Sequence, residues 1–167
     1  MLLQPTRMLK RVYDITPQFL AELGVKAVAL DVDNTLTHSN SPAIEQIMSD
    51  WLVQTRREGF ALIIISNNFR QRVGPFAQKL ELDYIYNAKK PLPGGLAQAC
   101  KKLGLRRGEL LMVGDQLFTD ILAANLFGCP SVLVEPFHIE QGTFMRLKRK
   151  AEIPFIRRIR RRQEAGR

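Results

Sequence analysis

Two aspartates separated by one residue, Asp31 and Asp33, follow an apolar run in the segment ALDVDNTLT (residues 29–37). Side chains repeat every two residues in an extended chain, so both carboxylates point to the same side. Ionised carboxylates are costly to desolvate and repel one another, so a pair at the edge of a core needs a positive partner. The pair therefore predicts a bound cation assisted by a lysine.

A third carboxylate, Asp115, ends another apolar run and completes an oxygen-rich set of candidate ligands. Oxygen ligands without His or Cys favour a hard cation, and few carboxylates with room for water suit Mg²⁺. A calcium loop beginning at Asp31 is excluded, because its sixth position would be Leu36 and its twelfth Pro42. The sequence also lacks GxxxxGK[ST] and GxGxxG nucleotide loops, which favours attack by an aspartate on a phosphate monoester.

Apolar runs of strand length alternate with amphipathic stretches of helical length, the pattern of a parallel sheet covered on both faces. This predicts an α/β, Rossmann-like three-layer sandwich around a central, mostly parallel five-stranded sheet. The predicted strands are 25–32, 60–66, 83–87, 109–115 and 130–135. Helix start and stop residues predict helices from Thr16-Pro17 to Gly24, from Ser41-Pro42 to Gly59 and from Thr119 to Gly128.

Polar residues interrupt the apolar runs at the carboxyl ends of three predicted strands. Asp31 and Asp33 follow the first, the segment 66–68 (SNN) follows the second, and Asp115 follows the fourth. Ligands of such sheets bind at the carboxyl ends of the strands. A structural alternative makes these residues a helix cap, a turn residue and a solvated loop, but it requires a coincidence at three separate strands.

Four motifs, DVDNTLT (31–37), SNN (66–68), AKKP (88–91) and GDQLFTD (114–120), resemble in type and order those of haloacid dehalogenase-like (HAD) phosphatases. The resemblance spans about residues 10–145 and is to the capless subclass IIIA, within it to YqeG-like proteins related to phosphatidylglycerophosphate phosphatase. It implies a Mg²⁺-dependent phosphoric monoester hydrolase acting on phosphatidylglycerophosphate or a soluble phosphate ester. The stretches between the motifs are too short for an inserted cap domain, so we expect an open site.

The resemblance also implies a role for each matching aspartate. Asp31 would attack phosphorus to form an aspartyl-phosphate, and Asp33 would protonate the leaving oxygen and then activate water. Mg²⁺ would be held by the carboxylates of Asp31 and Asp115 and by the backbone carbonyl of Asp33. Asp120 would orient a lysine or a metal-bound water.

The remaining implied roles concern the phosphate group. Ser66 would hydrogen-bond a phosphate oxygen, with the backbone amide of Asn67 nearby. Lys90 would neutralise the transferring group, whereas Lys89 is expected to face solvent. The catalytic set implied by the resemblance is thus Asp31, Asp33, Ser66 and Lys90.

Positive charge is concentrated at the C-terminus. The chain of 167 residues carries a formal charge of +9, and ten Lys or Arg against two Glu place +8 of it in residues 146–167. This predicts a HAD-like phosphatase domain at 1–145 and a basic tail at 146–167, with Phe155, Ile156 and Ile159 on one side of a short helix beginning at Pro154. The tail is expected to contact an anionic membrane surface or RNA, or else to remain solvated and disordered.

The N-terminus has no signal-peptide core, and no run of 18 apolar residues occurs. Together with two cysteines that lack metal-ligand spacing, this favours a cytoplasmic protein, with peripheral association at the inner face of the membrane as a further expectation. A phospho-acceptor signalling domain is disfavoured, because its acidic pair would lie on a different strand from the phosphorylated aspartate. A ribosome- or RNA-associated HAD-fold protein with a secondary or soluble-substrate phosphatase activity stays open as an alternative.

Overall fold

The computed structural model describes residues 2–38, 40–138 and 143–165. Residues 1, 39 and 139–142 of the predicted domain and residues 166–167 of the predicted tail lie outside the described residues. The architecture is a single parallel sheet with helices on both faces, in the spatial order β1-β6-β5-β2-β3-β4. Its strands are β1 (Arg7–Leu9), β2 (Ala27–Leu30), β3 (Ala61–Ile65), β4 (Asp83–Ile85), β5 (Leu110–Gly114) and β6 (Ser131–Val134).

The predicted α/β fold class is confirmed, but the prediction of five strands is wrong because the described sheet has six. The additional strand, β1, has only three residues and pairs in parallel with β6, with Arg7 opposite Val132. A three-residue strand is too short to show a periodicity, and its position is determined by the neighbouring strand rather than by its own sequence.

The helices are α1 (Pro17–Glu22), α2 (Gln46–Arg57), α3 (Arg70–Lys79), α4 (Gly94–Leu103), α5 (Leu122–Phe127) and α6 (Thr143–Ala165). The first begins as predicted, since the Thr16 hydroxyl accepts a hydrogen bond from the Phe19 amide at 3.1 Å and Pro17 occupies the first turn. The helices fill two hydrophobic layers, one on each side of the sheet.

Strand β2 shows how the central strands divide between the two layers. Val28 and Leu30 pack in the layer that contains Leu52 of α2, whereas Ala29 packs in the layer that contains Leu96 of α4. All four residues of the strand are fully buried. The first ionisable side chain after the strand is therefore Asp31, at the point where the sheet ends.

Two predicted helix starts are wrong. Helix α2 begins at Gln46 rather than at Ser41-Pro42. The segment before it is held by tertiary contacts: the Ser41 carbonyl accepts a hydrogen bond from Arg72 at 2.8 Å, and the Ala43 carbonyl accepts one from the Thr37 hydroxyl. These contacts hold the preceding loop beside the carboxyl edge of the sheet.

Thr119 does not cap the segment that ends at Gly128. It lies inside a wide helical turn, Leu117–Ile121, in which the amides of Asp120 and Ile121 both donate to the Gln116 carbonyl, at 2.9 and 3.3 Å. Helix α5 follows directly at Leu122. The wide turn changes the direction of the side chains just after β5, where the predicted site lies.

The basic C-terminal segment forms the 23-residue helix α6, and Pro154 lies inside this helix instead of beginning it. Ile159 is buried in a cluster with Leu117, Ile121 and Leu133, whereas Phe155 remains 44% exposed. Helix α6 therefore packs on the edge of the sheet domain near β6. The division of the chain at residue 145 stays a prediction. None of the helices in the described ranges is long and apolar enough to cross a bilayer.

Candidate active site

A cleft of about 410 Å³ opens at the carboxyl ends of the strands. Asp31 follows β2, Ser66 follows β3, and the loop after β5 begins at Asp115. The cleft is lined by Asp31, Asp33, Asn40, Ser66, Asn67, Asn68, Lys90, Gln116, Thr119 and Asp120. The fold thus brings together side chains from four separate segments of the chain.

The turn after β2 explains how Asp31 and Asp33 reach the cleft. Asp31 still continues the sheet, because its amide donates to the Val113 carbonyl at 3.0 Å. Asn34 then adopts a left-handed conformation with φ of 62°, which asparagine tolerates better than most residues. Three successive amides, of residues 35–37, donate to the Val32 carbonyl. This closes a tight turn that directs both carboxylates out of the sheet edge.

Lys90 lies at the centre of the site. Its ammonium group is 2.7 Å from Asp31 Oδ1 and 2.7 Å from Asp120 Oδ1, and it donates to the Ile65 carbonyl at 2.9 Å. Burial disfavours the charged lysine, but the two carboxylates outweigh burial and raise the pKa of Lys90. The lysine is therefore a fixed positive charge at the base of the cleft.

Asp31, Asp115 and Asp120 form a buried acidic cluster in which one carboxylate oxygen of each lies within 4.8 Å of the others. Burial raises the pKa of Asp31 to about 7 and that of Asp115 to about 8, and neighbouring carboxylates add to the effect. Lys90 and Arg149 act in the opposite direction but do not restore the ordinary pKa values. The cluster therefore resists full ionisation unless a further positive charge is bound.

The donor set fits a divalent hard cation. Among the described ion pairs around the cleft, three cations face five carboxylates, so two negative charges would be uncompensated if all five carboxylates were ionised. The ligand atoms available in the cluster are carboxylate oxygens, the type that Mg²⁺ prefers. The predicted pair of carboxylates, Asp31 and Asp115, is close enough to share one ion.

Asp33 lies beside the cluster with its two oxygens held by three donors. Oδ1 accepts from the Asn40 amide at 2.7 Å and from Arg72 at 3.0 Å, and Oδ2 accepts from the Asn68 side chain at 2.6 Å. The sequence predicts no role for Arg72, Asn40 or Asn68. Asn68 belongs to the SNN motif and could have been found from it, whereas Arg72 of α3 belongs to none of the four motifs.

Ser66 and Asn67 connect the second motif to the third. Ser66 is buried, and its hydroxyl accepts from the Asn68 amide at 3.1 Å. The side chain of Asn67 accepts from the Lys90 amide at 2.7 Å and donates to the Lys90 carbonyl at 2.9 Å. This paired contact fixes the backbone that carries the central lysine, a function different from the backbone contact to phosphate expected for Asn67. Lys89 is exposed, in agreement with the prediction.

Gly114 and Asp120 depend on one another sterically. A Cβ atom built on Gly114 would overlap the Asp120 carboxylate. The Asp120 carboxylate also accepts from the Gln116 amide at 3.1 Å. The glycine of the GDQLFTD motif is therefore needed so that Asp120 can approach the strand end and meet Lys90.

Helix α6 contributes residues that the sequence analysis placed in a separate tail. Arg149 forms an ion pair with the carboxylate of Asp115 and donates to the Asp115 carbonyl at 2.7 Å. Glu152, which is fully buried, accepts from the Phe118 amide at 3.0 Å. No local pattern in the sequence indicates these contacts, because the partners are more than 30 residues apart.

The two histidines, His38 and His138, lie 100 residues apart in the sequence but contact one another. The rings of His38 and His138 stack with centroids 4.5 Å apart, and Phe137 lies 4.9 Å from His38. The His138 amide donates to the Asn34 side chain at 3.3 Å. This aromatic group therefore supports the turn that presents Asp31 and Asp33.

The parallel α/β sheet, the acidic cluster and the buried lysine at its carboxyl edge agree with the resemblance to HAD-like hydrolases. The model of the haloacid dehalogenase-like hydrolase family matches residues 48–128. The chain is 32% identical over 148 residues to the probable phosphatase YqeG of Bacillus subtilis, a match that covers 89% of this chain and 86% of that protein. The chain therefore belongs to the haloacid dehalogenase-like hydrolase family.

The chain is also similar to a second curated protein, and a solved structure shares its fold. The chain is 30% identical to the chloroplastic and mitochondrial phosphatidylglycerophosphate phosphatase 1 of Arabidopsis thaliana, over 84% of this chain but only 43% of that protein. The cobalt-bound structure of deoxy-D-mannose-octulosonate 8-phosphate phosphatase from Haemophilus influenzae shares the fold, with a TM-score of 0.52, 14% identity and coverage of 66% of this chain and 68% of that one. The prediction of a HAD-type phosphatase is confirmed at the level of the family.

Proposed function

We propose that this protein is a Mg²⁺-dependent phosphomonoester hydrolase in which Asp31 is the nucleophile. The observation that carries the proposal is the convergence of Asp31, Asp115 and Asp120 within 4.8 Å, with Lys90 bridging two of them. Bound Mg²⁺ would be held by the carboxylates of Asp31 and Asp115 and the backbone carbonyl of Asp33, and it would supply positive charge to the phosphate oxygens.

The proposed reaction has two steps. In the first, an oxygen of Asp31 bonds to phosphorus while the ester P–O bond breaks, and Asp33 gives its proton to the departing oxygen. In the second, Asp33 takes a proton from water as the water oxygen attacks the aspartyl-phosphate, which releases inorganic phosphate and restores Asp31. Arg72 and Asn68 hold the orientation of Asp33 through their contacts at 3.0 and 2.6 Å.

Two further side chains act on the transferring group. The Lys90 ammonium, fixed between Asp31 and Asp120, balances negative charge on the phosphoryl oxygens. The Ser66 hydroxyl lies in the wall of the same cleft and would donate to a phosphate oxygen. Asp120 orients Lys90 through its Oδ1 atom, which lies 2.7 Å from the Lys90 ammonium group.

The reaction class is tested with an aryl phosphate in the presence and absence of Mg²⁺. Asp31→Asn should lower kcat by at least about 10³-fold, because the amide cannot form the covalent intermediate. Asp83→Asn is the matched control, since Asp83 is exposed and pairs with surface Lys102 at 3.0 Å, away from the cleft. Equal hydrolysis by wild type and Asp31→Asn would show that another group is the nucleophile.

We further propose phosphatidylglycerophosphate as the physiological substrate. The similarity to the Arabidopsis thaliana phosphatase supports this assignment. So does a groove of about 670 Å³ between β6 and α6, whose lining includes Asp115 and the apolar side chains of Leu133, Val134 and Ile153. An acyl chain of the lipid would bury its methylenes on these walls, and Arg146 would face the anionic head group.

Two serine substitutions on α6 test whether the groove binds the lipid substrate independently of the hydrolysis step. Ile153→Ser should lower kcat/KM for phosphatidylglycerophosphate in mixed micelles by about tenfold, the loss expected for one partly buried aliphatic side chain. Leu147→Ser is the matched control, because Leu147 is 67% exposed on the same helix and does not line the groove. Hydrolysis of aryl phosphate should be unchanged in both variants. Absence of any phosphatidylglycerophosphate turnover would leave the general phosphatase and a soluble ester as substrate.

The outward face of α6 supports a docking role. The exposed basic side chains of α6 are Arg146, Lys150, Arg157, Arg158, Arg160, Arg161 and Arg162. We propose that this face binds an anionic membrane surface from the cytoplasmic side, where each basic residue contributes about 1 kcal/mol. The triple variant Arg157→Ser, Arg158→Ser, Arg161→Ser should release the protein from vesicles containing phosphatidylglycerol. The alternative, association with RNA or ribosomes, predicts steeply salt-dependent RNA binding that the same variant abolishes, with no vesicle binding by wild type.

A further inference from the structure

Arg149 and Glu152 of α6 make three contacts with the loop that begins at Asp115. Arg149 donates to the Asp115 carbonyl at 2.7 Å and pairs with the Asp115 carboxylate through Oδ2. Arg149 also lies 3.4 Å from Glu152, whose other oxygen accepts from the Phe118 amide at 3.0 Å. The guanidinium therefore binds both the backbone and the side chain of one aspartate, while Glu152 holds the loop three residues further on.

The contacts are buried, so they cannot be treated as ordinary surface ion pairs. The side chains of Asp115 and Glu152 are 0% exposed, and that of Arg149 is 14% exposed. A buried charge is tolerated only when it is paired and hydrogen-bonded. Helix α6 is itself anchored by Ile159 in the cluster with Leu133, which fixes the position from which Arg149 reaches the loop.

The charge and direction of these groups suit a supporting role beside a cation. Arg149 and Glu152 together carry no net charge, so the pair does not repel a divalent ion as a lone arginine would. The guanidinium holds Oδ2 of Asp115, while Oδ1 faces the Thr35 hydroxyl at 3.4 Å. Groups that fix a ligating carboxylate in this way contribute strongly to metal affinity in proteins.

We propose that Arg149 and Glu152 are positioning residues for the divalent metal, so that α6 is a structural part of the metal site. This rests on the proposed metal-binding role of Asp115 and extends it to a helix that no motif of the site includes. The opposing possibility is that the guanidinium competes with the ion for the same carboxylate.

Binding of Mn²⁺ to the full-length protein, measured by electron paramagnetic resonance, shows whether Arg149 supports metal binding or competes with the ion. Arg149→Met should weaken Mn²⁺ binding by about 10- to 100-fold. Arg149→Lys should bind Mn²⁺ more tightly than Arg149→Met but less tightly than wild type, because lysine keeps the positive charge but cannot contact the Asp115 carbonyl and carboxylate at the same time. Arg160→Met is the matched control, since it removes an arginine of the same helix whose partner is the exposed Glu135 at 3.1 Å; its Mn²⁺ affinity should equal that of wild type.

Each other outcome overturns the proposal. Tighter Mn²⁺ binding in Arg149→Met would show that the arginine competes with the ion, and unchanged binding would show that it has no effect on the site. If Arg149→Met does not fold, as judged by circular dichroism, Arg149→Lys provides the same comparison. The measurement requires no turnover, so loss of Mn²⁺ binding in Arg149→Met together with an inactive wild type would refute the phosphatase mechanism and leave this inference intact.

Discussion

When divalent metal ions are absent, the free energy of unfolding should decrease as the pH rises from about 5 to 8. In the metal-free fold the pKa of Asp31 is raised from 3.8 to about 7 and that of Asp115 from 3.8 to about 8, with burial as the largest cause. Between the ordinary and the raised pKa, the folded state keeps protons that the unfolded chain has released. Rising pH therefore favours the unfolded chain, and the loss ends once the pH passes the raised values.

The magnitude follows from the size of the shifts. One pKa unit corresponds to about 1.4 kcal/mol, so Asp31 alone should lower the free energy of unfolding by about 3 kcal/mol between pH 5 and 7. Asp115 adds to the loss, but the two groups interact and their effects do not sum. A change of this size is a large fraction of the stability of a typical domain, about 5 to 15 kcal/mol.

Urea unfolding followed by circular dichroism, with a chelator at several pH values, measures the effect. Asp31→Asn removes one of the titrating carboxylates, so its stability should vary less with pH than that of wild type. Added Mg²⁺ should stabilise the wild type more at pH 8 than at pH 5, because the ion binds the deprotonated carboxylates.

Three outcomes would refute this reasoning. Stability in chelator that is constant, or that rises with pH, would show that the acidic cluster is not protonated in the metal-free fold. An identical pH dependence in Asp31→Asn would assign the effect to other groups. Equal stabilisation by Mg²⁺ at both pH values would show that the ion does not bind these carboxylates.

The remaining predictions concern single residues. Lys90→Met should destabilise the metal-free protein at pH 8 by about 3 to 5 kcal/mol in urea unfolding, because it leaves buried carboxylates without their cation; a smaller effect than in an exposed-lysine control would contradict this. Gly114→Ala should lower kcat by tenfold or more, since its new methyl group overlaps an aspartate of the site, whereas Gly108→Ala, which meets no atom within 4 Å, should be neutral in the same assay. Ile159→Ala should cost about 2 to 5 kcal/mol of unfolding free energy, against almost none for Leu147→Ala, and comparable losses would show that α6 does not pack as described.

Local patterns in the sequence were sufficient to predict the sheet and its main strands. The apolar runs that form β2, β3, β5 and β6 are buried on both faces, so each is continuous and ends at a polar residue. The spacing of Asp31 and Asp33 also follows from strand geometry alone. The prediction failed where the local pattern was weak, as in the three-residue β1, or where a distant contact changed it, as at Ser41 beside Arg72.

The candidate site could be predicted only as a set of strand ends. The sequence places Asp31, Ser66 and Asp115 at the same edge of the sheet, because parallel strands in such folds end on one side. It does not show that Asn67 holds the backbone of Lys90, that Asn40 and Arg72 hold Asp33, or that the wide turn after β5 brings Asp120 to Lys90. Such contacts depend on loop conformations and helix positions that no periodicity encodes.

The C-terminal segment shows most directly what the sequence determines and what the tertiary structure determines. By itself, the sequence determined that this segment is basic and carries some apolar residues at helical spacing, since charge and periodicity are local properties. Only the tertiary structure decided that Glu152 and Ile159 face inwards and that Arg149 meets Asp115, 34 residues away. The reason is physical: a buried ion pair or apolar contact forms only where two surfaces meet, and the chain alone does not specify which of its surfaces will meet.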